Sequence, residues 1–147
     1  MKPVAYLNII KACPLFAGIT EADLTALLGC LGSAVKSYAK DTFIFTAGER
    51  AGPMGLVLAG SVHIVQEDFW GRRTILTRIA GGELFAEAFA CAGLERLPVS
   101  VMAAEGAEIM LIDYRKIAAP CAQNCDCHSL LVNNMLRILS RKTLLSI

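Results

Sequence analysis

Apolar residues change period twice along this chain. Leu24, Leu27, Leu28 and Leu31 recur at helical spacing. Thr20 stands ahead of them as a cap, Asp23 completes a capping box, and Gly32 follows as a stop. From Ala34 onward the pattern shortens to runs rich in β-branched and aromatic residues, at 35–38, 42–46, 55–58, 62–66, 74–79, 99–103 and 108–112. Turn residues separate them, among them Lys40-Asp41, Ala59-Gly60-Ser61, Gly81-Gly82 and Glu105-Gly106. Many short strands at even spacing predict an all-β barrel or double-sheet roll and not alternating βαβ units. After Asp113 the helical period returns. Residues 129–147 carry Leu130, Leu131, Met135, Leu136, Ile138, Leu139, Leu144 and Leu145 without Gly or Pro. That stripe is wide for one small barrel to cover, so it predicts a partner helix in a dimer, the alternative being a helix folded back on its own barrel.

The stretch from Gly82 to Val101 breaks the strand pattern. A Gly-Gly turn opens into a run of small residues that reads as a short helix, followed by a loop with Arg96 and then a strand. Backbone N–H groups at a helix start, an acidic residue and a nearby arginine can cradle a phosphate. The same layout also serves as a plain packed turn.

Composition narrows the classes. With 147 residues the chain is one domain that needs no staples for its core. An apolar fraction of 55% and a charged fraction of 18% exclude disorder, and a net charge of +1 provides no basic field for nucleic acid. Arg137, Arg141 and Lys142 read as a solvated helix face. The long uncharged run 51–66 is interrupted by Gly52, Pro53, Gly55 and Gly60, so it predicts no bilayer span. The N-terminus, interrupted by Lys11, reads as an arm or helix and not a signal peptide. The expected location is therefore cytoplasmic, with the six cysteines as thiols, ligands or redox groups.

A helix, a β-roll with a short internal helix, then a long terminal helix resembles the layout of cyclic-nucleotide-binding domains. Ala47-Gly48-Glu49-Arg50 and the segment from Gly55 to Val62 are similar to the glycine-punctuated strands of that family. Gly82-Glu83-Leu84-Phe85-Ala86-Glu87 resembles the opening of its phosphate-binding cassette. The terminal helix is similar to the dimer helix of the Crp/Fnr bacterial transcription regulators, and the likeness runs from about Cys13 onward. It implies a jelly-roll (double-stranded β-helix) sensor domain over 1–124 and the start of a dimerisation helix over 125–147. The family's helix-turn-helix DNA-binding domain would follow Ile147.

In the resembling family a glycine–glutamate pair opens the cassette, and the glutamate takes the ribose 2′-hydroxyl. A later arginine, followed by a small hydroxyl residue, clamps the cyclic phosphate. Here Glu87 holds the glutamate position, but Ala86 replaces the glycine, Leu97 the arginine and Pro98 the hydroxyl; Arg96 sits one place early. A buried phosphate needs a cation and donors, and leucine and proline supply neither. The expected ligand is a partly apolar molecule other than cyclic AMP, in a pocket at Ala86, Glu87, Ala88, Arg96, Leu97 and Pro98. Glu87 or Arg96 would be its polar anchor; a one-residue slip of the loop would bring Arg96 in.

Cys121, Cys125, Cys127 and His128 concentrate thiols and an imidazole before the long helix. Their spacing matches no standard zinc finger, yet a helical turn would put Cys121, Cys125 and His128 on one face, with Cys91 in reach. A metal, iron–sulfur or thiol redox sensor is the alternative function, and a dimerising scaffold without sensing is another. Enzyme patterns fail. Two histidines cannot fill a cupin metal triad, Ser61 lies in no nucleophile elbow, and no P-loop is present. Glu83 and Glu87 share a helical spacing, but nothing beside them completes an acid–base site. The expectation is a non-enzymatic, homodimeric effector domain of a Crp/Fnr-type regulator, acting on DNA only through the further domain and away from membranes.

Overall fold

The computed structural model describes residues 6–118 and 127–145. Helices α1 (Leu7–Ala12) and α2 (Glu21–Cys30), joined through a 3-10 turn at Pro14–Phe16, precede the strands. These are β1 (Ala34–Tyr38), β2 (Phe43–Phe45), β3 (Met54–Ala59), β4 (Ser61–Glu67), β5 (Arg73–Ala80), β6 (Leu84–Phe85), β7 (Ser100–Ala103) and β8 (Ala107–Ile112). Helix α3 (Glu87–Ala92) is inserted between β6 and β7; α4 (Tyr114–Ala118) and α5 (Cys127–Leu145) follow β8. The predicted cap is present, with the Asp23 N–H donating to Thr20 Oγ1 at 3.3 Å.

Two antiparallel four-stranded sheets face each other, in the orders β1-β8-β3-β6 and β2-β7-β4-β5. The predicted roll is therefore present, with flanking helices. Alternation along the central strands of the first sheet assigns each face its partner. Val57, Ala107 and Ile109 face inward and meet Val62, Phe85, Val101 and Ala103 between the sheets. Met54, Leu56, Leu58, Met110 and Ile112 face outward into a second core with Leu15, Phe16, Leu24, Leu27 and Leu31 of the N-terminal helical layer. Both faces of β3 are covered, so its burial is continuous and not alternating.

α5 closes this second core. Leu131 and Met135 are buried in it, and Ile138 and Leu139 pack against it. Asn134, also buried, donates to the carbonyls of Leu15 and Ala17, each at 2.9 Å, and so fixes the helix against the 3-10 turn. The helix thus folds back on its own roll, the second of the two arrangements its stripe allows. It still leaves Leu130, Val132, Leu136 and Leu144 exposed. Two short elements have no periodic signal in the sequence. β6 pairs with β3 and buries Leu84 and Phe85 in the two cores, and α4 starts because Asp113 accepts from the Arg115 N–H at 2.9 Å.

Cys13, at the α1 end of this core, is a buried hydrophobe. Burial pushes its thiol from the ordinary value of 9.0 up to about 11. The unfolded chain therefore loses this proton at lower pH than the folded one, so stability falls as pH rises from about 9 to about 11. The full decline across that interval amounts to about 3 kcal/mol. Urea midpoints measured through this range should show it, and Cys13→Ala should remove that part of it.

Candidate functional site

Gly55 stands opposite Phe85 in the β3–β6 register, and a Cβ there would land inside the Phe85 ring. Phe85 is thereby seated between the sheets, with its ring 5.8 Å from that of Phe45. The chain leaves the interior at Ala86, whose φ of 62° is the left-handed conformation that suits glycine. Alanine adopts it at a cost of about 1 kcal/mol. The left-handed turn ahead of α3 therefore forms with alanine where glycine would be unstrained.

Directly after this turn Glu87 begins α3, and it is 2% exposed. A buried carboxylate without a cation costs several kcal/mol. The cation comes from α5: Lys142 Nζ donates to Glu87 Oε1. Glu87 Oε2 is buried with no hydrogen-bond partner among the described residues. Burial holds the Lys142 ammonium below its ordinary value, while the charge of Glu83 pulls it up. An ammonium at this place supplies the counter-charge that a buried carboxylate needs. The solvated face read from the sequence is present, but one of its cations also pairs with a buried carboxylate. Arg137, Arg141 and Lys142 are all exposed, but Lys142 follows Leu131, Met135 and Ile138 at spacings of four, three and four, and its ammonium turns in to Glu87. That spacing is the signal the sequence carries for it.

The remaining predicted residues are placed as follows. Leu97 is buried, its N–H donating to the Glu49 carbonyl at 2.7 Å and its carbonyl accepting from the Gly48 N–H at 2.9 Å. These bonds lock the loop in register, so the slip that would bring Arg96 inward does not occur. Arg96, Pro98 and Ala88 are exposed. Phe45, Ala86, Phe89, Ala90 and Leu97 surround a space of only about 10 Å³. A single water needs about 10–15 Å³. The open pocket expected in the cassette is therefore filled in this structure by aromatic and aliphatic side chains.

Cys121 and Cys125 lie outside the described residues, as do the side chains of Cys127 and His128, whose backbone forms the first turn of α5. Among the described residues no three His, Cys, Asp or Glu side chains gather as metal ligands. Cys91 is half-buried on α3, and burial raises its thiol above the ordinary value. His63 lies on β4 between Arg78 and Met102 of the neighbouring strands. No helix of the described chain is long and apolar enough to cross a membrane.

No curated protein matches the chain. Among solved structures, the Thermus thermophilus catabolite activator protein matches with a TM-score of 0.75 and 21% identity, over 90% of this chain and 59% of that one. The chain thus spans 59% of that protein's length. The sensor domain of the transcriptional regulator DNR from Pseudomonas aeruginosa matches with a TM-score of 0.76 and 19% identity, over 95% of this chain and 89% of its own. The regulatory subunit of a cAMP-independent protein kinase A from Trypanosoma brucei, as a triple mutant bound to cAMP, gives 0.71 and 16%, over 95% and 46%. These likenesses establish the fold. The profile of the cyclic nucleotide-binding domain covers residues 35–124, the strands, the cassette and α4 together. The chain belongs to the cyclic nucleotide-binding domain family, a family of regulatory and not catalytic domains.

Proposed function

We propose that this chain is the effector-sensing and dimerising part of a Crp/Fnr-type transcription regulator, and that its effector is not a cyclic nucleotide. The observation that carries this reading is the ion pair between Glu87 and Lys142. The carboxylate that would take a ribose hydroxyl is instead held by the long helix, and Leu97 occupies the place of the phosphate-binding arginine. An effector that moves α3 must then act on α5. A related fold supports the logic: a cAMP-independent kinase regulatory subunit was solved with cAMP as a triple mutant in which one threonine is replaced by arginine.

Dimerisation is supported by what α5 leaves uncovered. Val132 and Leu136 are exposed beside half-buried Leu139 and are spaced four and three apart, which is a heptad seam next to the face that covers the roll. A second copy of the helix is the natural cover. Leu136→Asp should convert a dimer to a folded monomer in sedimentation equilibrium. Lys142→Ala, with the seam intact, should change the dimer dissociation constant several-fold, because the Glu87 ion pair helps set how α5, which carries the seam, lies on the roll. A dissociation constant indifferent to Lys142→Ala would leave a dimerising scaffold without sensing.

A further inference from the structure

A cavity of about 760 Å³ lies on the far side of α3 from the roll interior, between α3, α4 and the loop before β3. That volume is in the range of small-molecule sites, roughly 300–1,000 Å³. It shares Ala51, Gly52, Pro53 and Ala90 with the filled cassette, so one thin wall separates the two spaces. Pro53, Ala90 and Leu111 give it an apolar side. Its polar groups are unequal in what they have left to offer. Arg115 is already neutralised by Asp113, with a charged contact of 3.3 Å and the Asp113 carboxyl held below its ordinary value chiefly by that hydrogen bond. Arg50 has no such counter-ion: among the described residues its guanidinium has no hydrogen-bond or ion-pair partner, and neither has the Tyr114 hydroxyl.

The geometry points to this cavity, and not the cassette interior, as the effector site, for a partly apolar molecule carrying one carboxylate or phosphate. The anionic group binds Arg50 with the Tyr114 hydroxyl as a second donor, and the apolar body lies against Pro53, Ala90 and Leu111. This rests on the reading of the chain as an effector domain and specifies its site. The route onward is short. α3 is six residues long and is flanked by left-handed residues, Ala86 and Gly93, so it is joined to the roll by two tight turns. A ligand pressing on Ala90 displaces the helix whose first residue, Glu87, is bound to α5.

Cys91 lines the cavity and reports on it. Alkylation of the intact protein by N-ethylmaleimide at mildly alkaline pH, resolved peptide by peptide by mass spectrometry, reads its accessibility. The probes are benzoate, indole-3-acetate and phenyl phosphate, with benzyl alcohol as the neutral control. At ten times its dissociation constant an acid should slow Cys91 alkylation roughly tenfold. It should leave Cys30 unaffected and lose its effect in Arg50→Ala, whose melting temperature without ligand should match the wild type. Acids that raise the melting temperature equally in wild type and Arg50→Ala, without protecting Cys91, would overturn this site while leaving effector sensing intact. No protection by any of the three acids would likewise overturn it. The broader reading fails separately, on a dimer constant indifferent to Lys142→Ala.

Discussion

Lys142→Ala should destabilise the fold by about 2 kcal/mol, because it leaves the Glu87 carboxylate buried without a cation. That cost is below the range for fully buried pairs because the Lys142 side chain is 53% exposed. Glu87→Gln should cost less than Lys142→Ala, since a neutral amide needs no counter-charge. In the Glu87→Gln background, Lys142→Ala should then cost roughly 0.5 kcal/mol, the range of an ordinary surface substitution. Denaturant unfolding of the four proteins completes the cycle, and a coupling energy above about 1 kcal/mol identifies a direct interaction. Additive effects would mean that α5 and α3 are held by packing alone, and the route from cassette to long helix would lose its central link.

Gly55→Ala should cost about 3 kcal/mol, an overpacking effect at the upper end of its range. The new methyl group meets the Phe85 ring, which is buried between the sheets against Phe45. Phe85→Leu should lower that cost, so the double variant should lose less than the sum of the two single ones, as read from urea midpoints. The consequence reaches the site, because Phe85 immediately precedes the turn at Ala86 and the buried Glu87. A fully additive pair would show that the ring can move aside and that the turn is held by something else.

The roll is legible in the sequence because its strands are short runs rich in β-branched and aromatic residues, separated by turn residues. All seven predicted strands are present, and Thr20 caps the helix it was expected to cap. β6 and α4 are not legible, since two and five residues carry no period. The site is legible in part. Ala86, Glu87 and Leu97 can be placed by their likeness to a cassette, but the filling of its interior depends on where Phe45 and Phe89 lie in three dimensions. Lys142 is masked by its charge: three basic residues close together suggest a solvated face, although the third stands in phase with Leu131, Met135 and Ile138. The cavity behind α3 cannot be read at all, since Arg50, Cys91 and Tyr114 come from segments far apart in the chain and meet only in the fold.

Isothermal titration calorimetry of the wild-type chain with cyclic AMP and cyclic GMP tests the central claim most directly. With Leu97 in the arginine position and Lys142 on Glu87, neither nucleotide should give measurable binding heat, even at millimolar concentration. A saturable isotherm with a micromolar dissociation constant for either would contradict the claim, because the cassette would then accept a cyclic phosphate without the cation its recognition requires.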